Sequence, residues 1–216
     1  GNGRWAKARG LPRIKGHEQG AQSVRVITRA CKNAGIKYLT LYAFSRENWT
    51  RPKREINGLM NLLINFLNEY EKEFHDNKLR LRVIGEINDL PKRVQNELSR
   101  IMKATECYNK GQLILALSYG SRTEMTNAVR QIAEQVRIGK LKPNDIDENV
   151  VASYLYAPDI PDPDLLIRTS GEMRISNFLL WQISYCELYV TDVLWPDFRE
   201  QEFKKALDEY GKRHRR

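Results

Sequence analysis

The sequence is poor in the residues on which several common chemistries rest. It has three cysteines in 216 residues, Cys31, Cys107 and Cys186, far apart and each within an apolar pattern. An odd number without a CxxC pair argues against a disulfide framework or a zinc site and fits reduced core thiols in a cytoplasmic protein. No run of about 18 apolar residues is present, so no membrane-spanning helix is expected. No secretory signal is visible, and a chain whose first residue is Gly1 reads as cut at its start. There is no GxxxxGK(S/T), which excludes a Walker-type nucleotide site, and no GxSxG, HExxH or aspartate-rich DDxxD pair. Internal repeats, low-complexity linkers and composition breaks are also missing, so residues 1–216 read as one domain.

What is abundant is basic charge, a net +9. Such a balance suits nucleic acid, an anionic membrane surface or phosphorylated small substrates. Part of it is a terminal run, Lys212-Arg213-His214-Arg215-Arg216, most simply a solvated tail. The remainder is placed by the pattern of elements. Apolar spacing predicts helices over 16–33, 54–74, 91–107, 120–137, 148–156 and 200–212. It predicts strands over 37–44, 79–85, 112–119 and 165–167, and a last short one within 188–193. Strands alternating with helices predict an α/β protein, a mainly parallel sheet wrapped by helices, with its strands buried.

The polar stretch Ser45-Arg46-Glu47-Asn48-Trp49-Thr50-Arg51-Pro52 sits where the first strand hands over to the long helix. In open α/β sheets, ligands bind beyond the carboxyl ends of strands. Arg46 and Arg51 follow one strand, Arg122 another, Arg168 and Arg174 a third. With Gly1 to Arg4 and Arg13, these are expected to converge on one crevice, and arginine suits the paired oxygens of phosphate. Gly1-Asn2-Gly3-Arg4-Trp5-Ala6 reads as a turn, either an anion-cradling nest of amides or a simple reversal. Arg13 and His17 stand near a helix start, which also favours anions. In the helix over 54–74, Leu59, Leu63 and Leu67 belong to a stripe that Leu62 and Ile64 widen. Periodicity leaves open whether this helix is deeply buried, lies at a dimer contact, or lines an apolar cavity. Glu172 and Glu187 are the acidic residues near the arginines, available to a metal or a salt bridge.

Four stretches carry a resemblance: Gly1-Asn2-Gly3-Arg4-Trp5-Ala6, the Ser45–Pro52 loop, Ile167-Arg168-Thr169-Ser170-Gly171-Glu172, and Arg174-Ile175-Ser176-Asn177-Phe178-Leu179-Leu180-Trp181-Gln182. Glu187-Leu188-Tyr189 and Asp192-Val193-Leu194-Trp195-Pro196-Asp197-Phe198 continue it. Together they resemble the cis-prenyltransferase family, in particular its bacterial undecaprenyl diphosphate synthases. The resemblance implies a mostly parallel sheet of about six strands with surrounding helices and an apolar tunnel. It implies a cytoplasmic homodimer with peripheral membrane contact. It also implies condensation of farnesyl diphosphate with successive isopentenyl diphosphates, with Mg²⁺, to the long polyprenyl diphosphate that serves cell-wall glycan synthesis.

Carried over residue by residue, Gly1, Asn2, Gly3, Arg4, Trp5, Arg13 and His17 hold the allylic diphosphate. Arg168, Arg174, Ile175 and Ser176 hold isopentenyl diphosphate. Ser45, Arg46, Glu47, Asn48, Trp49 and Arg51 form a mobile loop between the two sites, and Glu187 matches a metal-associated glutamate. Asn48 matches the residue to which the family assigns the proton. An amide is a very weak base, so orientation, or proton transfer to diphosphate, is expected of it. The family also has a metal-binding aspartate directly before Gly-Asn-Gly-Arg-Trp, at the end of a first strand; this chain starts one residue later. Ser121 stands where the family usually has a second glycine after Tyr-Gly. Two other readings compete: a catalytically silent partner subunit, against which Arg168, Arg174, Ser176 and Asn48 speak, and a basic nucleic-acid-binding protein, which would expect exposed aromatic platforms.

Overall fold

The computed structural model describes residues 1–213. Helices α1 (Asn2–Ala8) and α2 (Arg13–Asn33) precede strand β1 (Tyr38–Ser45), and a 3-10 turn (Arg46–Thr50) leads into α3 (Lys53–Asn77). Then come β2 (Leu79–Ile84), α4 (Lys92–Thr105), β3 (Gly111–Tyr119), α5 (Ser121–Arg137), α6 (Glu148–Ser153), β4 (Leu165–Arg168), β5 (Glu187–Val190) and α7 (Glu200–Lys212). The alternation matches the pattern in the sequence. Helices α2, α3 and α4 each start directly after an extended proline, Pro12, Pro52 and Pro91. Proline has no N–H to leave unpaired and a φ already suited to a helix start. That is why α2 opens at Arg13, ahead of its apolar pattern.

Strand β3 is the centre, parallel to β1 on one side and β2 on the other. Its side chains alternate between two cores, as those of a strand buried on both faces do, until the positive-φ Ser118 puts Tyr119 on the side of Ile114 and Ala116. Leu113, Leu115 and Leu117 join Met60, Leu67, Tyr70 and Phe74 of α3 and Val94, Leu98 and Ile101 of α4. Ile114, Ala116 and Tyr119 join Phe178, Leu179 and Ile183. Each fully buried large side chain here is worth about 1.5–3 kcal/mol relative to exposure.

Four expectations change. The strands do not form one sheet among the described residues: β4 and β5 pair in parallel with each other, apart from β1–β3–β2. Residues 37–45 and 161–170 line one cavity of about 1500 Å³. Strands β1 and β4 therefore stay largely half-exposed, where burial was expected. The opening residues form helix α1, not a turn. The glycines that matter for α1 lie across from it in α2. A Cβ on Gly16 would fall 2.0 Å from the Asn2 carbonyl oxygen, and one on Gly20 would fall 3.0 Å from the Asn2 side chain. At Gly16 the two helices touch backbone to backbone, and at Gly20 the α2 backbone meets the Asn2 side chain, which fixes where Asn2 sits. The cysteines also differ from a uniform core set, for Cys31 is buried while Cys107 is exposed. Of the basic tail, residues 214–216 lie outside the described residues, and Lys212 and Arg213 are ion-paired to Glu209 and Glu187.

The α1–α2 contact can be tested directly. Gly16→Ala is expected to destabilise by about 1–3 kcal/mol or more, because a backbone atom and not a flexible side chain blocks the new methyl. Gly211→Ala in α7, with nothing within 4 Å of its added Cβ, is expected to stabilise by about 0.5–1 kcal/mol. Urea midpoints of the two variants read both effects.

Candidate active site

The carboxyl ends of β1 and β4 open toward each other, and the loops that follow them carry the arginines. The structure brings the expected cluster together through shared carboxylates. Glu172, after β4, accepts Arg4 of α1 at 2.6 Å and also pairs with Arg174. Glu55, in the first turn of α3, pairs with Arg51 at 2.8 Å and Arg13 at 3.3 Å. Gly3 permits the approach of Arg13, whose Nε lies 2.9 Å from where a Cβ would stand. Two arginine–glutamate–arginine triads thus flank the cavity mouth. Exposed pairs of this kind stabilise by about 0–1 kcal/mol each; their main effect is to aim the guanidinium groups.

Unmet polarity collects at the same place. Among the described residues, Asn2 Oδ1, His17 Nε2, Arg168 Nε and Ser170 Oγ are buried without a partner, and all four residues line the cavity. Leaving such a group unpaired costs about 1–3 kcal/mol, so each has unused hydrogen-bonding capacity facing the cavity. Among the described residues Arg168 is held by the Ser176 hydroxyl alone, at 3.3 Å. Burial lowers its pKa, countered in part by Glu172. His17 Nδ1 faces Asn2 Nδ2 at 3.1 Å. An amide nitrogen only donates, so Nδ1 accepts and the proton sits on Nε2, aimed as a donor. Burial, and next the Arg51 charge, push the His17 pKa down from 6.5 to about 4. His17 is therefore a neutral donor at neutral pH.

Below this polar rim the walls are apolar. Leu59, Leu62, Leu63 and Phe66 of α3, Ala21 and Val24 of α2, and Leu39 and Leu41 of β1 line the cavity. Of the readings left open for α3, the cavity-lining one holds for this face. Leu67 is different: it is fully buried in the core and does not line the cavity.

Several expected residues take other positions. Arg46 turns away to Asp89 at 2.8 Å, and Trp49 donates to Ser118 Oγ at 2.8 Å with its ring edge against Phe44. Trp5 donates to Asp197 Oδ1 at 2.7 Å beneath the Arg9 guanidinium. The Arg122 side chain does not line the cavity either. The 3-10 turn after β1 explains the division: it sends Ser45, Glu47, Asn48 and Arg51 to the cavity and Arg46 and Trp49 to the sheet side. Asn48 is locked in a capping box, its Oδ1 accepting the Ser45 N–H at 3.2 Å. Gly1, Asn2, Gly3, Arg4, Arg13, His17, Arg174, Ile175 and Ser176 all line the cavity as expected.

Glu187 does not. It pairs with Leu165 at the opposite end of the β4–β5 ladder from Arg168, about 10 Å along the strand, and its carboxylate holds Arg213 at 2.5 Å. Among the described residues, no three His, Cys, Asp or Glu side chains come together to hold a metal ion. Glu172 and Glu55, the carboxylates paired with the cluster, are each already shared by two arginines. Sequence reasoning missed Glu55, Ser170 and Asn177. Glu55 lies one helical turn from Arg51, an i,i+4 spacing that could have revealed it.

The depressed His17 pKa links to stability. The unfolded state binds a proton near pH 6.5 that the folded state refuses until about pH 4. Stability from this site is therefore complete above pH 6.5 and is lost as pH falls toward 4. His17→Gln is expected to remove that part of the slope in a urea-midpoint series across this window; an unchanged slope would contradict the assignment.

Comparison with known proteins agrees with this geometry. The family model described as "Putative undecaprenyl diphosphate synthase" matches residues 1–216. An isoprenyl transferase of Heliobacterium mobile is 48% identical over 216 residues, covering 100% of this chain and 83% of the relative. One of Geobacillus kaustophilus is 50% identical over 216 residues, covering 100% and 84%. Among solved structures, lavandulyl diphosphate synthase from Lavandula x intermedia, in complex with dimethylallyl diphosphate, superposes with a TM-score of 0.95 at 36% identity, covering 100% of this chain and 93% of that one. A "probable undecaprenyl diphosphate synthase" from Campylobacter jejuni gives 0.80 at 35%, covering 92% and 91%. Arginines converging on the mouth of an apolar cavity, and matches that run the whole length of the chain, identify it as a prenyltransferase of the undecaprenyl diphosphate synthase family, the cis-prenyltransferases.

Proposed function

We propose that the chain condenses farnesyl diphosphate with successive isopentenyl diphosphates to a long polyprenyl diphosphate of undecaprenyl type, the lipid-carrier precursor for cell-wall glycan. The observation that carries the reading is one cavity with two chemistries: a mouth of paired arginines above an apolar chamber of about 1500 Å³. Pockets for single small ligands hold about 300–1000 Å³, so this one suits a growing chain.

In this reading, Arg4, Arg13 and the neutral His17 Nε2–H bind the allylic diphosphate, and Arg168, Arg174 and Ser176 bind isopentenyl diphosphate. Charge neutralisation by guanidinium groups makes diphosphate a competent leaving group. The isopentenyl double bond attacks the allylic carbon as the carbon–oxygen bond to diphosphate breaks, and a proton then leaves the new chain. Holding the two substrates side by side supplies much of the rate. Asn48, its Oδ1 engaged by Ser45, orients and does not act as base; the departing diphosphate takes the proton. The family is generally Mg²⁺-dependent, and the ion would add neutralisation of phosphate charge. A hard cation of this kind binds largely through substrate phosphates and water, consistent with how few carboxylates the mouth contains.

The chain is further read as a cytoplasmic homodimer with peripheral membrane contact. Among the described residues, no helix is long and apolar enough to cross a membrane. Exposed Tyr185, Leu188 and Val190 at the β5 edge suit a face that a second copy covers. Against a nucleic-acid platform, β1 and β4 face an apolar-lined cavity.

Incubation with Mg²⁺, farnesyl diphosphate and labelled isopentenyl diphosphate, followed by chromatography, tests the activity. It is best run beside a version extended by the strand and aspartate of the family. A ladder of long products is expected; no product from either folded form would favour the silent-subunit reading. Leu59→Trp and Leu63→Trp are expected to shorten the ladder, because both side chains line the chamber. Leu67→Ala should instead cost about 2–5 kcal/mol of stability and leave product length unchanged. Equal ladders from all three variants would remove the chamber from the account of chain length.

A further inference from the structure

The loop after β1 and the loop after β4 come from different sheets, and one side chain joins them. Asn177 Nδ2 donates to Glu47 Oε1 at 3.1 Å. Its Oδ1 accepts the Arg122 backbone N–H at 2.9 Å, and its carbonyl oxygen accepts the Ser121 N–H at 2.8 Å. A carboxylate only accepts and an N–H only donates, so one amide orientation alone satisfies both partners. Asn177 thus caps the start of α5 from outside that helix, in the manner of an N-cap side chain, while its other end reaches the neighbouring loop.

The surroundings are shaped to this contact. Asn177 has φ +60 and Ser176 +56, a left-handed conformation that asparagine tolerates better than most residues. Gly120 leaves the space: a Cβ there would stand 2.8 Å from Asn177 Nδ2. Glu47 titrates below the usual carboxylate range; burial pushes it up, but hydrogen bonds led by that from Asn177 outweigh it.

We propose that Asn177 is a positioning residue for the condensation. Its two oxygens fix the 170–177 loop on α5, and its amide N–H holds the 45–51 loop in register with it. Asn48 and Arg51 then keep a set distance from Arg168 and Ser176. The kinetic part of this inference rests on the condensation reading; the structural coupling does not.

Asn177→Asp separates the two ends of the side chain. It keeps the acceptors on α5 and turns the donor into a carboxylate facing Glu47. The expected protein folds with the parent's thermal midpoint but loses about tenfold or more in kcat/KM for isopentenyl diphosphate. In the double variant N177D/E47Q, the new amide donates to the new carboxylate, and kcat/KM is expected to rise about threefold or more above N177D alone. Parent-like kinetics in N177D, or a double variant no better than N177D, overturns the proposal. Amide hydrogen exchange supplies a readout independent of activity. Residues 46–51 should exchange faster in N177D than in the parent while α5 stays unchanged. Equal exchange in that loop sinks the coupling even where the parent makes no product, whereas faster exchange beside an inactive parent overturns only the condensation reading.

Discussion

Like charges crowded at one strand-end crevice repel, and the site is arranged around that repulsion. Two cations about 4 Å apart near a protein surface oppose each other by about 4 kcal/mol. Glu172 and Glu55 relieve it by each taking two arginines. Among the described residues Arg168 has no carboxylate within ion-pair distance and hydrogen-bonds the Ser176 hydroxyl, with Glu172 acting on it at longer range. The mouth therefore remains electropositive and partly unsatisfied, a condition a diphosphate relieves and a neutral ligand does not. The neutral state of His17 belongs to the same balance: a further buried positive charge beside Arg51 and Arg13 is disfavoured, so the ring contributes a hydrogen bond and no charge.

Such an arrangement needs backbone to come unusually close. Helix α1 lies against the Gly16 and Gly20 face of α2, which brings Asn2 and Arg4 over the cavity. On the far side, Ser170, Ser176 and Asn177 all adopt positive φ. Non-glycine residues pay about 1–2 kcal/mol for that conformation, offset here by hydrogen bonds that tie the loop to α5. Rigid elements below and strained, tethered loops above are how an apolar chamber and a charged rim coexist in one small domain. The chamber's length, set by which α3 side chains face it, is then a separate variable from the rim, which is one way members of a single family could differ in product while sharing diphosphate chemistry.

Much of this was legible before the structure. Strand and helix order follow from period and from proline positions, and the motifs after two strands named most of the rim. The placements that failed share a cause. Arg46 and Trp49 sit in the same loop as Asn48 and Arg51, but a 3-10 turn, with three residues per turn, puts Arg46 and Trp49 together on one side and Glu47, Asn48 and Arg51 on the other. Arg122 shares a strand end with the site in sequence but not in orientation. Glu187 lies in a matching motif, yet at the other end of its strand from Arg168. Leu67 sits in the same stripe as Leu59 and Leu63, but packs into the core.

By itself, the sequence determined the α/β alternation, the basic character of the strand-end loops and the family. Local spacing and residue chemistry suffice for these. Only the tertiary structure decided which arginines share a carboxylate, which face of α3 meets the cavity, and that Asn177 bridges two loops 130 positions apart. Those depend on contacts between segments distant in the chain, where no periodicity carries the information.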